Sequence, residues 1–187
     1  QGGLAGGDRV GYGEVAFGVL LAGAIPVPIY PPARPSQLED HLRRHTRILD
    51  NAQVAALVTV PEAVTVGRLL RAKVMSLRHV LTAAELPAPE GQDPRPRVAA
   101  HDLALLQYTS GSTGDPKGVT LTHANLLANI RAMGEAVRVD ASDVFVSWLP
   151  LYHDMGLIGA WLRPLYVGFP LVSMSPLTFL GKPLRWL

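Results

Sequence analysis

Leu103-Ala-Leu-Leu-Gln-Tyr-Thr-Ser-Gly-Ser-Thr-Gly-Asp-Pro-Lys-Gly-Val-Thr-Leu-Thr122 is the most informative segment of the chain. Its apolar start predicts a buried strand, and its last four residues predict a second strand. The loop between them carries four hydroxyl side chains, three glycines and one lysine. Glycines let backbone N–H groups approach anionic oxygens, hydroxyls donate adjustable hydrogen bonds, and lysine adds a mobile positive charge. The segment therefore predicts a strand–loop–strand unit whose loop binds a polyphosphate.

The loop differs from the two common phosphate-binding motifs. Counting from Gly111, a Walker A loop needs Gly at 116 and Ser or Thr at 118, where this chain has Pro116 and Gly118. A dinucleotide-binding G-x-G is also missing, because Thr113 stands at the position of its second glycine. Since a strand and not a helix follows the loop, no helix dipole assists anion binding. Backbone N–H groups, hydroxyls and Lys117 would hold the phosphates.

A second motif is Trp148-Leu-Pro-Leu-Tyr-His-Asp-Met-Gly-Leu-Ile-Gly159. Residues 143–148 predict a short strand that Pro150 ends, and Asp154 predicts the N-cap of a following helix. His153 would then lie at the carboxyl end of a strand, where open α/β sheets bind ligands. Its imidazole N–H is suited to orienting a carboxylate. Taken alone, such a histidine is more commonly structural, bonded to a loop carbonyl.

These motifs resemble one family of enzymes. Residues 108–118 resemble the phosphate-loop signature of the acyl-adenylate-forming enzymes, which include acyl-CoA synthetases and peptide-synthetase adenylation domains. Residues 17–28 resemble an early helix and strand of the same family, whereas 149–159 and 30–35 resemble its fatty acyl-AMP ligase branch. The resemblance implies an α/β fold, with a mainly parallel sheet flanked by helices, as part of the large N-terminal domain of an adenylate-forming enzyme. Residues 1–187 would be a partial AMP-binding (adenylation) domain, with the C-terminal domain absent.

The resemblance also implies a reaction. A fatty acid and ATP, with Mg²⁺, would give an acyl-adenylate, and the acyl group would pass to the phosphopantetheine thiol of an acyl carrier protein in lipid or polyketide assembly. The implied phosphate-binding residues are Thr109, Ser110, Gly111, Ser112, Thr113, Gly114 and Lys117. His153 would be catalytic. The implied acyl-binding residues are His153, Asp154, Met155, Gly156, Ile158 and Gly159, although each small or apolar one also suits ordinary helix core.

Two other functions fit the same motifs. An acyl-CoA synthetase would use CoA as the acceptor, so offering CoA and carrier protein separates the two enzymes. A non-catalytic remnant would keep a nucleotide or acyl pocket without turnover, and the isolated 187-residue chain is expected to show little activity. A small phosphate-binding hydrolase is disfavoured because no general base lies near the loop in sequence. No carboxylate set predicts a metal site in the chain itself.

Composition narrows the class of protein. Of the 187 residues, 48% are hydrophobic and 17% charged, which is typical of a globular protein. A formal net charge of +2 without a basic stripe argues against a nucleic-acid partner. The absence of cysteine excludes disulfides, thiolate metal sites and cysteine nucleophiles, and it fits the reducing cytoplasm. The apolar run 17–25 is short and ends at Pro26, and prolines interrupt the run 165–180, so no membrane span is predicted.

The remaining elements alternate, which predicts parallel strands joined by helices. The predicted helices are 15–24, 38–49, 62–73 and 123–137, with another from 176; the further predicted strands are 24–29, 54–60, 79–82 and 171–175. Ser36–Glu39 forms a predicted capping box. The family's first strand is expected to be lost or disturbed, because residues 7–10 run directly into 11–14. The histidines at 41, 45, 79, 101 and 123 are interpreted as surface or capping residues.

Overall fold

The computed structural model describes residues 6–30, 36, 38–86, 96–109 and 116–186. The chain divides into two compact units. One unit comprises residues 18–98 and 105–120, and the other comprises 1–17, 99–104 and 121–187. Helices alternate with short, mainly parallel strands, which confirms the predicted α/β class. No helix in these described ranges is both long and apolar enough to cross a membrane.

The unit of residues 18–98 and 105–120 contains a strand–helix–strand crossover. Strands β1 (Ala56–Thr59) and β2 (His79–Thr82) are parallel, in a register that runs from Ala56 opposite His79 to Thr59 opposite Thr82. Helix α3 (Val64–Arg71) joins them after a 3-10 turn, because parallel neighbours need a crossover connection. A methyl group at Gly67 would lie 2.7 Å from a methyl of Val80, so only glycine lets α3 approach the sheet this closely.

Helix α2 (Leu38–Asn51) supplies the other wall of this unit's core. Leu49 is buried with three residues from α3 and the segment after it, namely Leu70, Val74 and Leu77. His41 and His45 are only 7% and 0% exposed, so their prediction as surface or capping residues is wrong. Residues four apart lie on the same face of a helix, so His41 and His45 face the core together with Leu49. Strands β3 (Leu103–Thr109) and β4 (Lys117–Thr122) form a separate two-stranded sheet.

The unit of residues 1–17, 99–104 and 121–187 is built on a second parallel pair. Strands β5 (Phe145–Ser147) and β6 (Leu171–Ser173) pair from Phe145 opposite Leu171 to Ser147 opposite Ser173. A π-helix (Met155–Leu162) and α5 (Arg163–Val167) connect them. Helix α4 (His123–Val137) has the predicted bounds and the predicted Thr122 cap, whose hydroxyl accepts from Asn125 N–H at 3.1 Å. Helix α6 (Pro176–Gly181) is capped by Ser175.

The beginning of the chain departs from the sequence-based prediction. Helix α1 (Gly6–Leu21) starts well before residue 15, and residues 7–14 belong to it. The predicted strand 24–29 carries no strand assignment, although Leu106 N–H donates to Pro26 O at 3.2 Å. Pro26 and Pro28 lack the N–H groups that a ladder needs, which explains the single bond. Gln37 of the predicted capping box and residues 87–95 lie outside the described residues.

Candidate functional site

The predicted phosphate loop joins two neighbouring strands. Thr109 ends β3 and Lys117 begins β4, and both are exposed. The remaining predicted loop residues, Ser110, Gly111, Ser112, Thr113 and Gly114, lie outside the described residues. Within the described ranges, Lys117 makes no ion pair with a carboxylate. Binding of a phosphate by its ammonium group stays a prediction.

Tyr108 anchors the base of this loop. Its hydroxyl donates to Asn51 Oδ1 of α2 at 2.5 Å, and burial raises the pKa of that hydroxyl. The ring packs against Gly118, where a Cβ would lie 3.0 Å from Tyr108 Cζ. A side chain at 118 would press on the ring, so the tyrosine and the glycine of this motif depend on each other. Sequence reasoning missed Asn51, because nothing local connects positions 51 and 108.

His153 lies in a tight turn between β5 and the π-helix. Its backbone N–H donates to Pro150 O at 3.2 Å, and its carbonyl accepts from Leu157 N–H at 2.8 Å. One step earlier, Leu149 N–H donates to the hydroxyl of Ser147, which is 5% exposed. Each end of the turn is thus tied to the element next to it. The imidazole itself is 62% exposed and faces solvent.

Asp154 acts on both the helix and the histidine. Its Oδ1 accepts from Met155 N–H at 2.7 Å, which confirms the predicted N-cap. The same oxygen lies 2.5 Å from His153 Nδ1. A carboxylate at Nδ1 holds the ring orientation and leaves Nε2 for a second partner. The arrangement can therefore present one ring nitrogen to a ligand at the carboxyl end of β5.

The helix after Asp154 is a π-helix and not the predicted α-helix. Such wide turns are rare and occur frequently at functional sites. Gly156 is buried against the Pro150 carbonyl, whereas a Cβ added at Gly159 would make only ordinary contact with Met133. Met155 is 62% exposed and Ile158 is half-buried. Met155 and Ile158 thus retain surface for an acyl chain, and contact with such a chain remains a prediction for all six residues.

The predicted site residues fall into two groups. Thr109 and Lys117 belong to the unit of residues 18–98 and 105–120, whereas His153–Gly159 belong to the other unit. Over the described parts of both units, no cluster of three or more His, Asp or Glu residues is placed to hold a metal ion. The described part of one unit therefore holds the exposed Lys117 and Thr109, and the other holds the imidazole that Asp154 orients, while binding of phosphate stays a prediction.

Comparison with known proteins gives a consistent picture. A family model described as AMP-binding enzyme matches residues 3–187. Long-chain-fatty-acid–AMP ligase FadD32 of Mycolicibacterium smegmatis is 36% identical over 97% of this chain and 30% of its own length. Medium-chain-fatty-acid–[acyl-carrier-protein] ligase TtuA of Teredinibacter turnerae is 54% identical over 49% of this chain and 14% of its own length.

Solved structures agree with the sequence comparisons. A structure from studies of fatty acyl-adenylate ligases of E. coli and L. pneumophila superposes with a TM-score of 0.87 at 33% identity, over 99% of this chain and 33% of that one. The L. pneumophila fatty acyl-adenylate ligase, in complex with acyl adenylate and pyrophosphate, gives 0.80 at 34% identity, over 95% and 30%. The chain spans about a third or less of the length of these proteins.

Proposed function

Because this chain belongs to the AMP-binding enzyme family, we propose that the complete protein activates a fatty acid with ATP and passes the acyl group to an acyl carrier protein. Residues 1–187 would form part of its N-terminal AMP-binding domain. The first step gives acyl-adenylate and pyrophosphate. The second gives a thioester with the phosphopantetheine thiol and releases AMP. The relatives named for fatty acid–AMP and fatty acid–carrier-protein ligation support both steps.

The observation that carries this proposal is the His153 turn. A fatty acid carboxylate needs no proton removed before it attacks the α-phosphorus of ATP; one oxygen forms the new P–O bond while the bond to the β-phosphate oxygen breaks. Catalysis of such a step consists mostly of positioning and electrostatic stabilisation. An exposed imidazole with Nδ1 held by Asp154 supports a role of this kind, with Nε2 orienting the attacking carboxylate.

The phosphate loop would hold the leaving group. Thr109 and Lys117 stand at the ends of that loop, and the residues between them, Ser110–Gly114, would add hydroxyl and backbone N–H donors. Mg²⁺ would arrive with the nucleotide and offset phosphate charge. A cysteine-free chain suits the reducing cytoplasm, where we also place the protein.

Fatty-acid-dependent exchange of labelled pyrophosphate into ATP tests the first step in the complete protein. His153→Ala should lower kcat about 10²-fold, because the carboxylate loses its orientation. Lys117→Ala should raise KM for ATP roughly 10- to 100-fold, the cost of one charge-assisted contact. The exposed His101 and Lys73 supply matched controls, His101→Ala and Lys73→Ala, which should behave as wild type. Wild-type rates in both site variants would refute the residue assignments.

The acceptor needs a separate assay. Purified acyl-adenylate complex is offered holo-carrier protein or CoA, and thioester formation is followed by mass spectrometry. We expect transfer to the carrier protein. Preferred transfer to CoA would identify an acyl-CoA synthetase instead, and adenylate formation with neither transfer would leave only the first step.

A further inference from the structure

Gly156 makes an exceptionally close backbone contact. A Cβ at this position would lie 1.9 Å from Pro150 O and 2.6 Å from the Pro150 carbonyl carbon, whereas real Cβ contacts are essentially never shorter than 3.0 Å. An alanine would therefore have to displace the Pro150 carbonyl by at least about 1.1 Å. Gly13, in the same unit, meets only the side chain of Trp161, which can rotate away. Glycine at 156 is thus required by the backbone itself.

The displaced group belongs to the turn that carries His153. Pro150 O accepts the His153 N–H, and Leu157 N–H donates back to the His153 carbonyl. The Ser147 hydroxyl accepts a hydrogen bond from the N–H of Leu149, the residue before Pro150. A shift of the Pro150 carbonyl is therefore transmitted to His153 through one backbone hydrogen bond, and a shift of the start of the π-helix would reach it through the other.

We propose that Gly156 is a positioning residue for His153, acting by letting the start of the π-helix close onto the Pro150 carbonyl. The structural part of this inference concerns the turn alone, and its effect on catalysis rests on the proposed function. It assigns Gly156 a role other than lining an acyl channel. A positioning residue should affect every fatty acid alike, whereas a channel residue should alter the preference for chain length.

The test compares variants of the complete protein. Gly156→Ala should lower kcat for pyrophosphate exchange about 10²-fold, the usual cost of a 1 Å misplacement, by the same factor for octanoate and palmitate and with little change in KM for ATP. Gly134→Ala is the matched control, since a Cβ there is in ordinary contact at 3.6 Å from Val139. The double variant with His153→Ala should be no slower than His153→Ala alone. Additive losses, or losses that depend on chain length, would overturn the proposal.

Hydrogen exchange reports on the turn without reference to activity. The His153 and Leu157 amides should lose protection in Gly156→Ala and keep it in Gly134→Ala. If the wild-type protein exchanges no pyrophosphate with any fatty acid, the proposed function fails, and intact amide protection in Gly156→Ala would then refute the positioning role on its own.

Ser147→Ala covers the case in which Gly156→Ala does not fold. It loosens the same turn without adding volume, because it removes only the hydroxyl that Leu149 N–H meets. We expect a smaller loss of kcat that again disappears in the His153→Ala background. Wild-type kcat and wild-type amide protection in Ser147→Ala would contradict the proposal.

Discussion

Acidification from pH 7 to pH 5 should lower the free energy of unfolding by about 2 kcal/mol through His45 alone. The His45 side chain is fully buried and stacks on His41 with ring centroids 3.8 Å apart, while the Tyr30 ring packs at 82° to it with ring centroids 4.8 Å apart. Burial lowers its pKa to about 4, against a partial opposing effect of the hydrogen bond to the His41 carbonyl. Positive charge on His41 or Arg44 lowers it further.

The sign follows from proton binding. An unfolded histidine has a pKa near 6.5, so between pH 6.5 and about 4 the unfolded chain binds a proton that the folded chain excludes. Stability is therefore complete above pH 6.5, falls as the pH drops toward 4, and stays low below it. The difference of about 2.5 pKa units corresponds to about 3.4 kcal/mol in total. Roughly 2 kcal/mol of this falls between pH 7 and pH 5, before most carboxylates titrate.

Urea unfolding at pH 7, 6 and 5 measures this effect. His45→Phe keeps an aromatic ring in the stack but cannot titrate, so its stability should depend on pH less steeply than that of the wild type, by about 2 kcal/mol over the range. His79→Gln, at an exposed position of the same unit, should keep the wild-type slope. Equal slopes for the wild type and His45→Phe would refute the reasoning, because they would mean that burial does not exclude the proton.

Four further substitutions test the packing, a helix cap and a side-chain hydrogen bond, each by urea unfolding. Gly67→Ala should lower the free energy of unfolding by about 1–3 kcal/mol, because the added methyl would lie 2.7 Å from Val80 in the sheet. Gly11→Ala, with open space around the position, should stabilise α1 by up to about 1 kcal/mol. Equal effects of the two substitutions would contradict this packing. Thr122→Ala should lower the free energy of unfolding by about 1 kcal/mol through loss of the α4 cap, and an unchanged stability would mean that the cap is dispensable. Tyr108→Phe should lower it by about 1 kcal/mol by removing the hydrogen bond to Asn51. If the tyrosine anchors the loop, the amides at the start of β4 should also exchange faster in this variant.

Local signals were sufficient for several elements. Helix α4 has its predicted bounds because Thr122 and Asn125 cap it reciprocally, and the helix predicted to begin near Pro176 does so after the Ser175 cap. Strand β2 was also predicted with its observed bounds, whereas β1 and β5 are shorter than their apolar runs. A strand ends where its partner stops accepting hydrogen bonds, and the run of apolar residues does not contain that information.

The His153 turn shows the limit of sequence reasoning. The motif correctly indicated the Asp154 cap and a histidine in the segment that follows β5, whereas the expected place of that histidine at a ligand site stays a prediction. It did not indicate the π-helix or the reason for Gly156, because both depend on how the Pro150 carbonyl meets the following helix. Roles of the site residues toward ATP and fatty acid stay predictions.

The amino-acid sequence alone indicated three features: the alternation of apolar strands with capped helices, a loop at 109–117 whose composition suits an anion, and the family to which these motifs belong. Each depends on groups within a few residues of one another. The burial of His41 and His45, the tie between Tyr108 and Asn51, and the obligatory glycines at 67 and 156 follow only from the folded chain. Close packing creates these constraints between residues that are brought together in space. Steric exclusion between such residues produces no periodic pattern along the sequence, so it cannot be predicted from the sequence alone.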